Sequence, residues 1–542
     1  MAFGIDLGTT HSCVARIDGA GRPVIIKSAI GEDLTPSAVY FESREHAIVG
    51  RAAKDHALIA PDLVAQCVKR DMGTDAEYTY HGERHTPETV SALILSELAR
   101  AVRENTGEEV RDVVITVPAY FGVAEQEATR RAGKLAGLVV LDVLAEPVAA
   151  ALHYQAVTRS SGGLRHILVY DLGGGTFDTT VIRLDGDKVS VVCTDGDPRL
   201  GGADWDEAIA GYCLGQFMRE HPGSRADEDK QFRQDLLINA ERLKKDLSMA
   251  ESKRYIMRAG GAVTRVELTR ARVEELTAGL LERTVTVTER TITKAQRKGV
   301  DRFDDILLVG GMTRAQAVTR ILKERLGLDA HHHEPDLAVA EGAAQYALVC
   351  AVRAEAGQAA TPERVAAMTG LTVPQAERLA ATRVATVVPR AFGVKSIDGR
   401  DPLALTDPVR ARQIIVHLLP ANTELPTDTG PFTFHTSLDN QRFVGIEVWE
   451  QAGQVESEDL AENRKVGEGM LRNLPPRLPA QTPIEVTFYM SETGLLTVEA
   501  TEPRSGSDLR FELQIGGLDQ AGMEKARQSV ARYRVSGEAD GC

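Results

Sequence analysis

The sequence lacks the features that mark several protein classes. Its six cysteines are scattered, and no two of them have the CxxC spacing of a metal or redox site. It contains no uncharged apolar run of about 18 residues, the minimum for a membrane-spanning helix. Its first residues carry neither the basic nor the apolar part of a secretory signal. These absences favour free thiols in a reducing compartment and predict a cytoplasmic protein with no membrane partner.

The chain also lacks an excess of positive charge. Lys and Arg total 63 against 78 for Asp and Glu, so the formal net charge is −15. A chain of this charge repels nucleic-acid phosphates at long range, which disfavours a nucleic-acid partner. Hydrophobic residues make up 43% and charged residues 26% of the 542 residues, which excludes wholesale disorder. The length predicts about three to five domains.

Two common nucleotide-binding motifs are absent, but a different glycine-rich pattern occurs twice. No GxGxxG opens the first β–α unit, and no GxxxxGK[ST] occurs. Instead, IDLGTT at residues 5–10 is echoed by YDLGGGT at residues 170–176. In each copy Asp ends a strand, and glycine lets the next residues turn and direct backbone N–H groups at an anion. One copy alone is equally typical of a β-turn, whereas two copies predict two lobes that hold a phosphate chain jointly.

The pattern of apolar residues divides the chain into two parts. Up to about residue 350, short apolar runs alternate with helical patterns, which predicts an α/β domain with strands at residues 113–117, 167–170 and 306–309. From about residue 390, alternation at period two predicts an antiparallel sheet through residues 444–448, 484–490 and 509–515. Between these parts, residues 352–383 read as two short helices around Thr369 and Gly370, and residues 518–533 form a last helical stretch.

Seven motifs then follow one another in a characteristic order. They are DLGTTHS at 6–12, VPAYF at 117–121, EP at 146–147 with AAA at 149–151, DLGGGTFD at 171–178, LGGADWD at 200–206, VGGMTR at 309–314, and PD at 335–336 with GAA at 342–344. Together they resemble the seventy-kilodalton heat-shock chaperone family. The resemblance implies an α/β actin-like two-lobed ATPase domain at residues 1–350 and a β-sandwich peptide-binding domain at 389–516. Residues 351–388 would then be a helical insertion and interdomain linker, and residues 517–542 a truncated helical lid.

The resemblance also implies roles for individual residues, with ATP and Mg²⁺ as cofactors. Catalysis is expected from Lys69, Asp6, Glu146, Asp171 and Thr176. The two aspartates Asp6 and Asp171 are expected to hold the metal. Nucleotide contacts are expected from Gly8, Thr9, Thr10, Gly173, Gly174, Gly175, Gly201, Gly202, Glu241, Lys244, Ser248, Gly310, Gly311, Arg314 and Asp336.

Two of these assignments have a plain alternative. Lys69 matches the family's catalytic lysine only loosely and is also compatible with a solvated surface lysine. The face of Glu241, Lys244 and Ser248 is also what an ordinary ladder of charges on a helix produces. His11 stands where the family usually has Asn, which alters a hydrogen bond of the phosphate loop without preventing hydrolysis.

A weaker resemblance covers the second part. Residues 422–427, 439–441 and 483–488 match the family's peptide-binding sandwich, in which an extended peptide pairs with main chain and one apolar side chain enters a pocket. The groove is expected at Ile415, Phe434, Val444 and Ile446. The alternative is that these four are core residues of the sandwich.

Three departures from the family pattern bear on function. The linker at residues 383–389 keeps valines but loses the family's leucine run, so its docking and the coupling of the domains are in question. Residues 352–381 are an insertion, either a spacer or docking module or, with Gly370 in the turn, a DNA-binding helix-turn-helix. The short helix at 518–533 predicts a reduced lid and fast peptide exchange. Separately, the run at residues 331–333 of three histidines invites a metal site, but no Cys or carboxylate cluster is spaced with it, which favours a solvated loop.

Three functions remain open from the sequence. The first is an ATP-dependent chaperone that binds extended hydrophobic segments of unfolded proteins, with a J-domain co-chaperone and a nucleotide exchange factor as partners. The second is a nucleotide-gated scaffold that holds one specific partner. The third is a small-molecule kinase of the actin-like superfamily, which would leave the sandwich unexplained.

Overall fold

The computed structural model describes residues 2–158, 163–356, 361, 363, 365–366, 371–453, 455–492, 494–513 and 520–537. Its first ten helices are α1 Arg51–His56, α2 Pro87–Thr106, α3 Val123–Leu135, α4 Glu146–Thr158, α5 Gly202–Glu220, α6 Lys230–Met249, α7 Arg270–Leu276, α8 Ala278–Arg297, α9 Gln316–Leu326 and α10 Ala338–Ala356. Among the described residues, the helices Val373–Ala381 and Gln520–Arg532 come later in the chain. The described residues include no helix of the length and hydropathy needed to cross a membrane.

The strands of the first part are β1 Ala2–Asp6, β2 His11–Ile17, β3 Pro23–Ile26, β4 Thr35–Pro36, β5 Ala38–Phe41, β6 His46–Val49, β7 Val64–Gln66, β8 Tyr78–Tyr80, β9 Glu83–His85, β10 Asp112–Val117, β11 Val139–Ala145, β12 Arg165–Leu172, β13 Phe177–Asp185, β14 Lys188–Asp197, β15 Ser252–Ala259, β16 Ala262–Thr269, β17 Asp305–Val309, β18 His331–His332 and β19 Arg383–Ala385. Those of the second part are β20 Phe392–Ile397, β21 Gln413–Leu419, β22 Thr427–Asp428, β23 Phe432–His435, β24 Val444–Gln451, β25 Asn463–Leu471, β26 Pro483–Met490, β27 Leu496–Glu502, β28 Ser507–Leu513 and β29 Arg534–Ser536.

Two six-stranded sheets of the first part repeat one arrangement. The first has the order β11-β10-β1-β2-β3, with β4 on β2, and β1 is parallel to β10 and antiparallel to β2. The second has the order β18-β17-β12-β13-β14-β19, and β12 is parallel to β17 and antiparallel to β13. Strand β1 therefore corresponds to β12, and each carries the Asp of the repeated pattern into a hairpin turn. The predicted repeat and the three predicted strands are confirmed. We call the parts around these sheets the first and the second lobe.

Helices α4 and α10 pack between the two sheets. Their shared apolar core contains Val114 of the first sheet and Val169 of the second. A Cβ atom on Gly342 of α10 would lie 1.8 Å from the carbonyl oxygen of Ala149 on α4, so this close approach requires glycine. The closely packed helix pair therefore contacts the sheets of both lobes.

The second lobe also carries a helical layer built on α6. The side chains that α6 buries recur every three or four residues and pack against α5 and the β15–β16 hairpin; they are Phe232, Leu236, Ala240, Leu243 and Leu247. Because one face is apolar, the opposite face presents Glu241, Lys244 and Lys245 toward the space between the lobes. Asp229 caps the helix by accepting the N–H groups of Gln231 and Phe232.

The second part is a sandwich of two antiparallel sheets around one core. The sheets have the orders β21-β20-β24-β25 and β22-β26-β27-β28, with β23 beside β26. On β26 the buried side chains alternate as the period-two pattern predicts; they are Ile484, Val486, Phe488 and Met490. The predicted antiparallel sheet is confirmed.

The linker docks on the second lobe although its leucine run is missing. Strand β19 extends the second sheet by pairing with β14, with Val384 opposite Val189. Val387 is buried in the core that α4 and α10 share, and it bridges to Glu424 of the sandwich. Backbone pairing depends little on side-chain identity, and valine suits a strand, which is why the altered sequence still docks.

The sandwich contacts both lobes. Ala124 of α3 belongs to the sandwich core, and the N–H of Val123 donates to Glu450 at 3.1 Å. On the second lobe, the N–H of Thr194 donates to the Oδ1 atom of Asn422 at 2.7 Å. The position of the sandwich therefore depends on how the two lobes are arranged.

The C-terminal helix Gln520–Arg532, expected as part of a truncated lid, lies against the first lobe. It packs against α2 and α3, and its apolar residues Ala526 and Val530 lie in the core of the first lobe. Strand β29 then pairs parallel with β6, with Val535 opposite Ala47. The truncated lid expected at residues 517–542 stays a prediction, and residues 520–536 lie against the first lobe. An amphipathic helix is stabilised wherever its apolar face is buried, and here the first lobe provides that surface.

The inserted segment is only partly described. Helix α10 continues to Ala356, and Val373–Ala381 forms a separate helix. Val365 and Ala376 pack against Val352 of α10. Thr369 and Gly370 lie outside the described residues, so the predicted helix-turn-helix stays a prediction.

Candidate functional site

A cavity of about 600 Å³ lies between the two lobes. Its size is in the range of small-molecule sites. The predicted residues that line it are Asp6, Gly8, Thr9, Thr10, Lys69, Glu146, Asp171, Gly173, Gly174, Thr176, Gly202, Glu241, Lys244, Ser248, Gly310, Gly311, Arg314 and Asp336. The remaining two, Gly175 and Gly201, contact each other behind the wall: a Cβ atom on Gly201 would lie 2.5 Å from the nitrogen of Gly175.

The two hairpin turns of the repeated pattern meet in this cavity. A Cβ atom on Gly174 would lie 2.0 Å from the Oγ1 atom of Thr10, and one on Gly175 would lie 2.3 Å from the Cγ2 atom of Thr9. The first turn is also held in shape by Ser37, whose hydroxyl donates to the carbonyl of Gly8 at 2.8 Å. Two turns in contact can direct their backbone N–H groups at one anion from both sides.

Beyond the turns, the cavity ends in a buried group of carboxylates with one lysine. Asp6 is the last residue of β1 and Asp171 the last but one of β12, and Glu146 begins α4 directly after β11. Lys69 lies in the 3-10 turn Val68–Asp71, which Cys67 precedes with φ 56°. The Nζ atom of Lys69 donates to Oε1 of Glu146 at 2.5 Å, and both side chains are buried. Lys69 is therefore not a solvated surface lysine.

Negative charge exceeds positive charge in this group. Burial and the charge of Glu146 raise the pKa of Asp6 to about 7. The same causes raise the pKa of Asp171 and of Asp178 well above the usual range. The donors are all oxygen atoms, and carboxylates that resist ionisation in isolation favour a hard divalent cation beside them. The residues therefore fit Mg²⁺, with Asp6 and Asp171 nearest to the turns.

The opposite wall of the cavity carries paired charges. Glu241 accepts from Lys54 at 2.5 Å and from Lys245 at 2.7 Å. Lys244 donates to the carbonyl of Gly202 at 2.7 Å and pairs with Asp206 at 2.8 Å. The predicted helix face lines the cavity, and α6 is tied through Lys54 to α1 of the first lobe.

Sequence reasoning missed several residues of the site. Lys54 and Asp206 line the cavity, and Arg70 ties the first lobe to the second by donating to the carbonyl of Gly175 at 2.9 Å. Arg70 follows Lys69 directly, and Asp206 ends a motif that the sequence analysis used, so both had a local signal. His11 also lines the cavity; burial and the charge of Lys54 lower its pKa to about 4, so it is neutral at pH 7.

The predicted groove residues do not form one surface. Ile446 is buried in the sandwich core, and Phe434 and Val444 are half-buried against that core. Ile415 is 2% exposed on β21. By contrast, Phe443 and Met470 are 59% and 41% exposed beside a second hollow of about 560 Å³. The groove that the resemblance implies at these four positions stays a prediction, and their burial agrees with the alternative of core residues of the sandwich.

A model of the family described as Hsp70 protein matches residues 2–360 and 379–536. The chain belongs to the Hsp70 family. The residues between the two matched stretches fall within the insertion predicted at 352–381. Hsp70 membership accounts for the order of the seven motifs and agrees with a mixed α/β first part followed by a β domain.

Proposed function

We propose that this Hsp70 protein is an ATP-dependent molecular chaperone, which hydrolyses ATP to ADP and phosphate and couples nucleotide state to the binding of extended hydrophobic peptide segments. The observation that carries this proposal is the contact of the two glycine turns in front of a buried lysine and carboxylates. Family membership supports ATPase and chaperone activity in general.

The two turns hold the phosphates. Gly8 and Gly174 line one cavity, where the backbone N–H groups of their turns can bind an anion, and the hydroxyls of Thr9, Thr10 and Thr176 are further donors along it. The glycines at 310 and 311, with the pair of Arg314 and Asp336 at 2.5 Å, border the end where the base and ribose would lie. Glu241, Lys244 and Ser248 cover the same end from the second lobe.

The buried group beyond the turns supports hydrolysis. Bound Mg²⁺, held by Asp6 and Asp171 through its waters, would supply positive charge to the phosphate oxygens. Glu146 fixes the ammonium of Lys69 in the cavity, where it stabilises charge that develops on the transferred phosphoryl group. The remaining carboxylates of this group can orient the attacking water.

Coupling to the sandwich follows from its contacts with both lobes. The first lobe holds it through Glu125, which pairs with Arg390 at 3.0 Å and with Arg464 at 3.5 Å. The second lobe holds it through Asn422 and through β19 on β14. A nucleotide that changes the angle between the lobes cannot preserve both sets of contacts, and so it alters the sandwich. A J-domain co-chaperone and an exchange factor are proposed partners on family grounds alone.

The test is to measure ATP affinity and turnover with and without a hydrophobic extended peptide. Linkage requires that peptide change ATP affinity by the same factor by which ATP changes peptide affinity. Peptide that binds but leaves both ATP affinity and turnover unaltered would contradict the proposal.

A scaffold with one specific partner is a second candidate. It is favoured by the docking of the C-terminal helix on the first lobe, since Ala526 and Val530 are buried there rather than over the sandwich. Capture of proteins by a Lys69→Ala variant in ATP discriminates the two. One stoichiometric partner supports the scaffold, and a broad mixture of unfolded proteins supports the chaperone.

A further inference from the structure

Two histidines and two glutamates converge at a place that the nucleotide site does not use. His153 lies on α4 and Glu341 on α10, while His333 and Glu334 lie in the loop before α10. One ligand atom from each of His153, Glu334 and Glu341 can be chosen such that all lie within 4.8 Å of one another. The Nδ1 atom of His153 is 3.4 Å from Oε2 of Glu341, and its Nε2 atom is 3.9 Å from Oε2 of Glu334.

Polar atoms of this cluster have no hydrogen-bond partner among the described residues. His153 is only 3% exposed, and neither of its ring nitrogens is bonded. The Oε2 atom of Glu341 and the Nε2 atom of His333 are also buried without a partner. Native proteins pair nearly all buried polar atoms, so several unpaired atoms in one cluster indicate a missing ligand.

We propose that His153, Glu334 and Glu341 bind one divalent transition-metal ion such as Zn²⁺. An imidazole nitrogen with carboxylate oxygens suits zinc, whereas Mg²⁺ and Ca²⁺ favour oxygen ligands alone. Zinc bonds of about 2.0 to 2.2 Å place tetrahedral ligand atoms about 3.4 Å apart. Only one nitrogen of His153 can be the ligand, and the chosen ligand atoms, which lie within 4.8 Å of one another, reach that separation through side-chain rotation. His333, whose ring centroid is 5.1 Å from that of His153, is the nearest candidate for a fourth ligand.

The competing occupant is a proton shared by the two glutamates. Burial and the charge of Glu334 raise the pKa of Glu341 to about 8, so a proton would also neutralise the pair. A proton leaves both nitrogens of His153 without a partner, however. A metal ion bonded to one nitrogen of His153 and to both carboxylates joins all three side chains, whereas a proton shared by the glutamates joins only two.

The position of the cluster gives the ion a bracing role behind the nucleotide cavity. Glu334 directly precedes Pro335 and Asp336, which line the cavity. The carbonyl of Pro335 accepts the N–H of Gly310 at 2.8 Å. Helix α4, which carries His153, begins with Glu146, the partner of Lys69. An ion at this point would tie α4, α10 and the loop together.

The test is calorimetric titration of Zn²⁺ into the metal-stripped full chain in excess Mg²⁺, which occupies oxygen-only sites. Glu341→Gln, Glu334→Gln and His153→Gln each remove one proposed ligand with little change of shape. His331→Gln is the matched control, because His331 belongs to the same histidine run but is exposed and outside the cluster. Thermal unfolding of each variant with and without Zn²⁺ gives a second readout that does not depend on activity.

We expect one Zn²⁺ per wild-type chain and a rise of Tm on its addition. The affinity should fall at least about 100-fold in Glu341→Gln, since removing even an outer-shell group costs 10 to 100-fold. His331→Gln should bind as the wild type does. If His153→Gln does not fold, Glu334→Gln decides, because that side chain is 58% exposed. Failure of the wild type to bind Zn²⁺, unchanged affinity in both glutamate variants, or loss of binding in His331→Gln would overturn the proposal.

Discussion

Charge is arranged in opposite ways in the nucleotide cavity and at the contact between the sandwich and the first lobe. In the cavity, the buried Asp171 and Asp178 and the half-buried Asp6 are near a single lysine of the described residues, and their pKa values are raised. At the contact, Glu450 is fully buried but pairs with Arg464 at 2.7 Å. The contact is complete within the protein, whereas the cavity is complete only with a cationic ligand. Carboxylates that lack paired cations within the protein therefore indicate a site for a bound ligand.

The largest effect should come from removing the only lysine of the buried carboxylate group. Lys69→Ala should lower ATP turnover by about 10²- to 10³-fold, because one electrostatic donor to the transferred group is lost. ATP affinity should change far less, since the turns and the adenosine end are intact. Single-turnover hydrolysis and equilibrium binding measure the two effects, and the control is Lys323→Ala, since Lys323 is exposed on α9 and does not line the cavity. A turnover within a factor of three of the wild type would show that Lys69 is a structural ion-pair partner.

A substitution in the C-terminal segment should lower the stability of the protein and leave the rate of peptide exchange unchanged. Tyr533 packs against Phe41 and His85 in the first lobe. Tyr533→Ala should cost about 3 kcal/mol of unfolding free energy, as large-to-small core changes do. Its control is Arg532→Ala, because Arg532 is the exposed last residue of the preceding helix. The dissociation rate of bound peptide should stay the same in both variants. A faster rate in Tyr533→Ala alone would show that the C-terminal segment acts as a lid.

Much of the cavity could be predicted from the sequence because each of its motifs is local. An Asp at a strand end, a glycine turn and the next hydroxyls are specified within a few residues, as at Asp6 and Asp171. The place of the C-terminal helix and the cluster at His153 could not be predicted. Both depend on pairs far apart in the chain, such as Val535 with Ala47, for which a period or a spacing carries no signal.

A substitution in the linker tests whether the docking of β19 on β14 transmits the nucleotide state of the cavity to the sandwich. Val387→Asp places a charge in the core shared by α4 and α10, and it should release β19 from β14. Stimulation of ATP turnover by peptide should then vanish, with a loss of about 1 to 3 kcal/mol of coupling free energy. Basal turnover should persist. The control is Arg383→Ala, because Arg383 is an exposed residue of β19. Stimulation that survives in Val387→Asp would assign the coupling to the direct contacts at Asn422 and Glu125.

The smallest effect concerns pH. The pKa of Asp6 in the folded chain, about 7, lies above its ordinary value of 3.8. Between these values the folded chain holds a proton that the unfolded chain has lost, so the ligand-free stability falls as the pH rises from about 4 to 7. Thermal unfolding at pH 5.5 and 7.5 should show this slope, and Asp6→Asn should weaken it. The exposed Asp227→Asn should not. Equal slopes in the wild type and Asp6→Asn would contradict the unbalanced charge.

Calorimetry of ATP binding in magnesium buffer tests the central claim that the two glycine turns hold one triphosphate. The account predicts one site per chain. It predicts that Gly174→Ala, whose new Cβ would lie 2.0 Å from Thr10, lowers the affinity at least about tenfold. Gly211→Ala, in open space on α5, should bind as the wild type does. No uptake of ATP by the wild type, or equal affinity in Gly174→Ala and wild type, would contradict the account.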